Sequence, residues 1–411
     1  ATAIAANSTI IGSGPVIAND VATSSITVTL RDASNNPVPG QTPTFSTTGT
    51  GNTQTACGVT NASGQASCTL KSTKAEVKTL AITAPVTKTD GTVTFIAGAA
   101  SSTTTTIAGT GPVTANGVAT SFITITILDA FSNPITGITP IFNATNTGST
   151  NSQGACSASN ASGVSSCTLA SLVAETKTLQ LTSPTAVTGG TVVFTAAAPS
   201  ATNSTIAGTG PVTADGASTS TVTITLKDAN NNSVPGQTPT FSATNTGTTN
   251  VYGGCTMGDT NGVSSCTLTS TKAEVKTLSI ATPVIKAGGT VTFVAGAPGS
   301  QSTITGSGPV LADGTADSTI TITIRDDFGN IVAGVTPDFQ ATGTGNSYDV
   351  CSVGNASGAS TCTMQSTTAE IKTLSIIDPI IVTGGTVTFT SGAAVAANST
   401  IVGSGPVVAN N

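Results

Sequence analysis

The stretch TVTITLKDANNNSVPG, from Thr221 to Gly236, alternates apolar residues with threonine and then breaks into a turn. Val222, Ile224 and Leu226 are separated by single residues, which is the period of a β-strand that buries one face. The segment that follows is rich in Asp, Asn, Pro and Gly, the residues that favour turns. Because no stretch of the sequence keeps helical spacing, we predict an all-β chain of antiparallel strands.

A marker with the pattern G-[ST]-G-P-V recurs at intervals of 97 to 99 residues and begins at Gly12, Gly109, Gly208, Gly306 and Gly403. This period suits a small sandwich domain better than a solenoid turn of about 20 to 50 residues. We therefore predict four repeats and the start of a fifth, at residues 8–104, 105–203, 204–301, 302–398 and 399–411.

Each repeat contains six or seven predicted strands with turn signals between them, which is typical of an immunoglobulin-like antiparallel β-sandwich. Each repeat also has one phenylalanine in a TPxF or equivalent segment and another in its last strand. We expect each pair to pack into one core: Phe45 with Phe95, Phe142 with Phe194, Phe241 with Phe293, and Phe339 with Phe389. Two tyrosines, Tyr252 and Tyr348, have no counterparts in the first two repeats, and we interpret them as incidental.

The eight cysteines form four pairs with ten residues between the members of each pair. In CGVTNASGQASC the midpoint of Cys57 and Cys68 is also the midpoint of Asn61 and Gly64, residues that favour the ends of a type I turn. The two thiols would then face each other across a hairpin ladder. We predict four disulfides: Cys57 with Cys68, Cys156 with Cys167, Cys255 with Cys266, and Cys351 with Cys362.

Four local disulfides indicate an oxidising compartment, and closing each loop stabilises its repeat by about 3 kcal/mol. Metal binding by these cysteines is disfavoured because the chain has no histidine and the pairs lie almost a hundred residues apart. We therefore expect no metal site and no cofactor.

The composition excludes several classes of function. Only 7% of the residues are charged, the net charge is -6, and no cluster of Lys or Arg offers a surface for nucleic acid. The lack of histidine removes Ser-His and Cys-His nucleophiles, so we predict no catalytic residue. We predict no membrane span in this segment, and the opening ATAIAANSTI lacks the features of a signal peptide, so we expect the segment to be internal.

Three motifs in fixed order carry a family resemblance: STVTITLKDANNNSVPGQTPTF, then TNGVSSCTLTSTKAE, then GGTVTFVAGAP. Together they resemble the bacterial immunoglobulin-like repeat of the invasin and intimin type, and the resemblance covers all four repeats. It implies an elongated stack of sandwiches on a bacterial surface, in a stalk or adhesin. The hairpin cysteines and the G-[ST]-G-P-V start are not assigned to the general pattern, and the resemblance implies no ligand.

Two sets of charged residues return in every repeat. The first is an Ala-Glu-x-Lys motif, which we interpret as a solvated ion pair, with a contact between successive domains as an alternative: Glu76 and Lys78, Glu175 and Lys177, Glu274 and Lys276, Glu370 and Lys372. The second is an aspartate at the start of a turn, which we expect to cap that turn or, alternatively, to bind Ca²⁺: Asp32, Asp129, Asp228 and Asp326. An isopeptide bond between the two sets is a third alternative.

Two functions from different classes fit these observations. One is a non-enzymatic extracellular stalk or fibre of a bacterial surface adhesin, whose partners are neighbouring domains and a host, prey or matrix surface. The other is a subunit of a self-assembling filament whose copies join end to end, because the final ANSTIVGSGPVVANN restates the opening ANSTIIGSGPVIAND. A weaker alternative is a module that binds carbohydrate or a receptor, which the shortage of aromatic residues disfavours.

Overall fold

A computed structural model describes residues 1–145, 150–244, 249–403 and 405. Their regular structure is almost entirely β-strand, arranged in eight four-stranded sheets. The chain divides into two compact units, Ala1–Ala197 and Ala198–Asn411, and each contains four of the sheets. The strands recur in groups of eight, which confirms an all-β chain of four immunoglobulin-like units, here called the first to fourth repeats. The predicted repeat boundaries stay predictions.

The strands of the first unit belong to two repeats. The first repeat contains β1 (Thr9–Gly12), β2 (Val16–Ile17), β3 (Ser24–Thr29), β4 (Thr44–Thr47), β5 (Asn52–Gln54), β6 (Gln65–Ser72), β7 (Val77–Ala84) and β8 (Lys88–Ile96). The second repeat contains β9 (Thr106–Gly109), β10 (Val113–Thr114), β11 (Ser121–Thr126), β12 (Ile141–Ala144), β13 (Asn151–Gly154), β14 (Val164–Ser171), β15 (Thr176–Ser183) and β16 (Val187–Thr195).

The strands of the second unit follow the same order. The third repeat contains β17 (Thr205–Gly208), β18 (Val212–Thr213), β19 (Ser220–Thr225), β20 (Thr240–Ala243), β21 (Asn250–Gly253), β22 (Val263–Ser270), β23 (Val275–Thr282) and β24 (Lys286–Val294). The fourth repeat contains β25 (Thr303–Gly306), β26 (Val310–Leu311), β27 (Ser318–Thr323), β28 (Asp338–Ala341), β29 (Asn346–Tyr348), β30 (Ala359–Ser366), β31 (Ile371–Asp378) and β32 (Val382–Thr390). A 3-10 turn follows at Ala396–Asn398.

Each repeat is a sandwich of two sheets. In the first repeat the strand orders are β1-β3-β6-β5 and β2-β8-β7-β4, and every pair is antiparallel except β2 with β8. The two sheets share one core, in which Ile26 and Leu70 from one sheet join Leu80 and Phe95 from the other. Each repeat has eight strands among its described residues rather than the predicted six or seven, partly because the marker sequence divides the first strand into β1 and β2, which lie in different sheets.

The alternating pattern of the sequence matches the observed burial. Val222, Ile224 and Leu226 are all fully buried, as the period of two predicts. The paired phenylalanines also lie in or against the cores, as predicted, although Phe45 and Phe241 are only half-buried.

The predicted turn between the cysteines is confirmed. In the first repeat the Gly64 amide donates to the Asn61 carbonyl at 2.8 Å, and the Asn61 side-chain oxygen accepts from the Ser63 amide at 2.9 Å. Gly64 has a φ of 73°, and an added Cβ would lie 2.5 Å from the Leu30 carbonyl oxygen, so glycine is required here.

The cysteines face each other as predicted, but the ladder does not continue in the same register beyond them. In the β5–β6 ladder Gln54 pairs with Leu70, a register that differs by one residue from the facing pair Cys57 and Cys68. Residues 55–61 lie outside the strands, so the extra residue is accommodated where the backbone is irregular.

The predicted start of a fifth repeat is only partly described. Residues 399–403 form no strand, and Ile401 and Val402 are almost fully exposed. In each complete repeat the matching segment pairs with another strand of its own sheet, as β1 pairs with β3. Residues 404 and 406–411 lie outside the described residues, so this repeat stays a prediction.

Candidate functional site

All eight cysteines are paired as the sequence predicts. The Cα atoms of each pair are 4.1 to 4.3 Å apart: Cys57 with Cys68, Cys156 with Cys167, Cys255 with Cys266, and Cys351 with Cys362. Each disulfide joins the irregular segment before the turn to a central strand, which in the first repeat is β6. The covalent link therefore anchors the hairpin to the sandwich.

The recurrent lysine is buried, so its interpretation as a solvated ion pair was wrong. In the first repeat Lys78 is fully buried, whereas the side chain of Glu76 is 39% exposed. The Lys78 Nζ atom donates to Glu76 Oε1 at 2.6 Å and to the Thr50 carbonyl at 3.0 Å, and it lies 5.9 Å from the centre of the Phe95 ring. The hydrogen bond from Lys78 lowers the pKa of Glu76 below its usual value.

This arrangement closes one end of the sandwich. Glu76 Oε1 also accepts from the Thr50 amide at 3.1 Å, so the ion pair holds the connection between β4 and β5 against the start of β7. An added Cβ at Gly49 would come within 2.1 Å of the same carboxylate oxygen. The fourth repeat has the same contacts, with Lys372 bonded to Glu370 at 2.6 Å and to the Thr344 carbonyl at 3.0 Å.

The lysine and aspartate sets belong to different sites. The described partners of Lys78 are residues of its own repeat, and the carboxylate bonded to it is a glutamate. Asp32 instead accepts hydrogen bonds from Ser34 and Asn36 within its own turn. These contacts support neither an isopeptide bond nor a lysine contact between domains in the first repeat.

The aspartate of the second repeat forms a joint with the first repeat. Asp129 and Asn133 are each only 2% exposed. The Asn133 side-chain amide donates to the Thr73 carbonyl at 3.0 Å, and its oxygen accepts from the Ala75 amide at 2.9 Å. Asp129 Oδ2 accepts from the Asn133 side-chain amide at 2.8 Å and from the Gly98 amide at 2.9 Å. The carboxylate therefore orients the asparagine and also binds the connection between the repeats.

The same joint occurs between the third and fourth repeats. The Asn330 side-chain amide donates to the Thr271 carbonyl at 3.0 Å, and its oxygen accepts from the Ala273 amide at 2.9 Å. Asp326 Oδ2 accepts from the Asn330 side chain at 2.8 Å and from the Gly296 amide at 2.9 Å. A joint formed twice with the same residue types and nearly the same distances is a built feature of the repeat.

We name the two halves of this joint. The docking turn contains an aspartate and the asparagine four residues after it: Asp32 and Asn36, Asp129 and Asn133, Asp228 and Asn232, Asp326 and Asn330. The acceptor turn follows the sixth strand of each repeat and contains residues 72–75, 171–174, 270–273 and 366–369. The aspartates were predicted from the sequence and the asparagines were not, although the spacing of four residues between them recurs in all four repeats.

The hydrogen bonds of Asp129 fit turn capping and docking rather than calcium binding. Asp129 Oδ1 accepts from the amides of Phe131 and Asn133, both at 2.9 Å, while Oδ2 binds the two donors of the joint. Burial raises the pKa of Asp129, but these hydrogen bonds outweigh it, so the net pKa lies below the usual value. No group of three or more metal-ligating side chains occurs among the residues that the structure describes.

The two tyrosines close the edge of their sandwiches, so their interpretation as incidental was wrong. The ring of Tyr348 packs edge to face on Phe339, with centroids 5.2 Å apart. Its hydroxyl accepts from the Ala341 amide at 3.1 Å, and thus links β29 to β28 in the opposite sheet. Tyr252 makes the same ring contact with Phe241 at 5.3 Å.

The first two repeats have glutamine in the place of these tyrosines. Gln54 pairs with Leu70 in the register in which Tyr348 pairs with Met364. An open groove of about 250 Å³ lies beside Gln54 and Phe45. The edge that tyrosine closes in the later repeats is therefore open in the first.

Two parts of the chain match family models. Residues 8–96 match the bacterial Ig-like domain (group 1), and residues 200–296 match domain 3 of invasin. No curated protein matches the sequence. Within the described residues there is no helix long and apolar enough to cross a membrane.

Several solved structures are similar to this chain. FdeC, an Escherichia coli adhesin, is 19% identical, with a TM-score of 0.50 over 73% of this chain and 100% of that one. Invasin, a bacterial integrin-binding protein, is 19% identical, with a TM-score of 0.47 over 93% of this chain and 78% of that one. InvD of Yersinia pseudotuberculosis is 22% identical, with a TM-score of 0.45 over 79% of this chain and 95% of that one.

At these identities the likeness to FdeC concerns the fold alone. The family models supply the sequence evidence, in the first and third repeats. The second and fourth repeats have the same strand order, disulfide and docking turn. The first and third repeats are therefore bacterial Ig-like domains of the invasin type, and the second and fourth repeats share their fold.

Proposed function

We propose that this chain is a non-enzymatic structural segment of a bacterial surface adhesin, where its repeats form an elongated extracellular stalk. The observation that carries the proposal is the position of the two turns within one repeat. In the first repeat the docking turn follows the last residue of β3, Thr29, which pairs with Gln65 at the start of β6. The acceptor turn follows the end of β6, where Leu70 pairs with Ser24 at the start of β3. The two turns therefore lie at opposite ends of the sandwich.

A module with its docking and acceptor turns at opposite ends adds the next module in one direction only. The fourth repeat has the same polarity, since its docking turn lies beyond the pair Thr323 and Ala359 and its acceptor turn beyond Ser318 and Met364. Repetition of a head-to-tail contact of this kind extends an open array. A linear stalk is the arrangement that such modules favour.

The chemistry of the chain supports an extracellular location for this stalk. Four hairpin disulfides persist only where the compartment is oxidising. FdeC is described as an adhesin and invasin as an integrin-binding protein. We propose that this chain likewise serves adhesion to a host, prey or matrix surface.

Electron microscopy of the purified chain under non-reducing conditions tests the stalk. We expect rods of one length at every protein concentration, with each repeat adding roughly 30 Å or more because strands rise about 3.3 Å per residue. Compact particles, or rods that bend freely at every joint, would contradict a stalk.

A second candidate function is a self-assembling filament. The observation that favours it is the exposed segment 399–403, which restates the sequence of β1 but forms no strand among the described residues. An unpaired strand sequence can add to the edge of a sheet in another copy. Fibres that lengthen with concentration in the same microscopy would favour the filament over the stalk.

A further inference from the structure

The first repeat contains a docking turn that is already formed. The amide of Asn36 donates to Asp32 Oδ1 at 2.8 Å, and the Asp32 amide donates to the Asn36 carbonyl at 3.0 Å. The second repeat has the same two bonds, at 2.9 and 3.0 Å, between Asp129 and Asn133. The backbone that presents the asparagine is therefore the same in both repeats.

The asparagines of these two docking turns are in different environments. Asn133 is buried in its joint, whereas Asn36 is exposed. The Asn36 side-chain amide contacts Asp32 Oδ2 at 3.3 Å and has no partner from another repeat among the described residues. The Gly98 amide donates to Asp129 Oδ2, and among the described residues no amide of a connecting segment donates to Asp32 in this way.

We propose that Asp32 and Asn36 form a docking site for one more immunoglobulin-like repeat, joined in tandem ahead of the first repeat. Asn36 binds a carbonyl and an amide two residues apart in the acceptor turn of that repeat, and Asp32 binds an amide of the connecting segment. The inference rests on the proposed stalk and adds the chemical rule by which its repeats recognise each other.

The partner must offer a preformed acceptor turn. In the first repeat the Ser72 hydroxyl shapes this turn, because it accepts from the Lys74 amide at 2.9 Å and donates to the Lys74 carbonyl at 3.1 Å. Ser366 makes the same two contacts with Thr368, at 3.1 and 3.3 Å. The fourth repeat therefore has an acceptor turn of the required shape.

The acceptor turn of the fourth repeat is also accessible. Ala369 is exposed, whereas Ala75, which donates to Asn133, is half-buried. A second copy of the fourth repeat is therefore a suitable probe for the docking site. We would fuse residues 302–391 directly before Ala1, because Ala1 occupies the place that Gly392 has after the fourth repeat.

The chain has no tryptophan, so one introduced tryptophan reports on one position. Ser34 is suitable because Phe131 and Phe328 occupy the matching place in the docking turns of the two joints. We expect Ser34→Trp to show blue-shifted emission and slower local rotation in the five-repeat fusion than in the four-repeat chain. Adding Asn36→Ala to the fusion should abolish both changes.

Phe131→Trp in the four-repeat chain, with and without Asn133→Ala, gives the reference signal of a formed joint. If the emission of Phe131→Trp depends on Asn133 in this way but the emission of Ser34→Trp does not shift in the fusion, the docking site is refuted. A shift that survives Asn36→Ala would also refute it, because contact without the asparagine is not the proposed recognition. Hydrogen exchange of the Asn36 side-chain amide, slowed only in the fusion, provides a second readout without tryptophan.

Two further outcomes separate this inference from its alternatives. A shift in the four-repeat chain that grows with protein concentration would assign the site to a second copy and overturn the tandem partner. If microscopy shows rods but the docking test fails, the proposed stalk is still supported and only the proposed docking site is contradicted.

Discussion

The interior of a repeat and the joint between two repeats are stabilised by different kinds of interaction. Inside the first repeat, a disulfide, a buried ion pair and a shared apolar core connect the two sheets and their loops. At the joint with the second repeat, two side chains, Asp129 and Asn133, make three hydrogen bonds to backbone groups. The repeat is thus a strong module and its joint a weak but directional contact.

This difference suits the proposed stalk. A disulfide and a buried core resist unfolding, whereas each half-buried hydrogen bond of the joint adds only about 0.5 to 1.5 kcal/mol over a bond to water. A joint made this way can open and reform without unfolding either neighbour. We therefore expect changes inside a repeat to alter its stability and changes at the joint to alter mainly the coupling between repeats.

Removal of one disulfide should have the largest effect. In the variant Cys57→Ala with Cys68→Ala we expect the first repeat to lose about 3 kcal/mol, because the loop is no longer closed in the unfolded state. Native-state hydrogen exchange of the β6 amides measures this loss, and the other three repeats serve as internal references. If the stability of the first repeat does not change, the turn and the core stabilise it fully without the disulfide.

Single-molecule stretching checks the same disulfide independently. The bond spans 11 residues of sequence, and its Cα atoms are 4.3 Å apart. Since an extended chain spans about 3.3 to 3.6 Å per residue, reduction should lengthen each unfolding step by roughly 35 Å.

Replacement of the buried lysine should have the next largest effect. We expect Lys78→Ala to destabilise the first repeat by about 2 kcal/mol, since it removes two hydrogen bonds of a charged group, and relief of its desolvation offsets part of that loss. Lys74→Ala is the matched control, because Lys74 is exposed and only its backbone bonds to Ser72. Equal effects of the two variants in denaturant-dependent hydrogen exchange would contradict a structural role for the buried ammonium.

Features set by neighbouring residues could be predicted from the sequence. The strand containing Val222 follows from its alternation, and the hairpin turn follows from Asn61 and Gly64 within twelve residues of sequence. The burial of Lys78 also had a local signal, because it lies two residues before Leu80 on the buried face of β7. The prediction was wrong because a lysine on that face is normally unexpected.

Contacts between distant parts of the chain could not be predicted in this way. The carbonyl that accepts from Lys78 belongs to Thr50, 28 residues earlier, in a loop with no strand pattern. Asn133 binds Thr73, 60 residues away in another repeat. The spacing of Asp and Asn marks a turn, but only the three-dimensional arrangement shows what the turn contacts.

The tyrosine at the sandwich edge should have a moderate effect. Tyr348→Phe removes the hydroxyl that bonds to Ala341, and we expect the fourth repeat to lose about 1 kcal/mol. Gln54→Tyr in the first repeat is the converse change, which should add a ring contact with Phe45 and stabilise that repeat by about 0.5 to 1 kcal/mol. Hydrogen exchange of β30 and β6 measures the two effects, and a destabilising Gln54→Tyr would mean that the open groove does not accept the ring.

Acid should weaken the joint more than the repeat. Hydrogen bonds lower the pKa of Asp129 despite its burial, so its folded-state pKa lies below its unfolded one. Its contribution is therefore complete above the unfolded pKa, near 4, and is lost as the pH falls through the lower folded value. The Phe131→Trp signal should shift over that range while far-ultraviolet circular dichroism stays constant, and a simultaneous loss of both would contradict a selective effect.

Removal of the asparagine itself should have the smallest effect on stability. We expect Asn133→Ala to change the unfolding free energy of the first and second repeats by no more than about 0.5 kcal/mol, because the joint opens in this variant and water can then reach the groups that Asn133 bound. The same variant should nevertheless let the two repeats rotate independently, which the anisotropy decay of Phe131→Trp measures. Asn61→Ala is a control, since Asn61 caps the hairpin turn at the opposite end of the first repeat from this joint. If Asn133→Ala instead unfolds a repeat, the joint is part of the module rather than a separate contact, and the distinction between strong modules and weak joints fails.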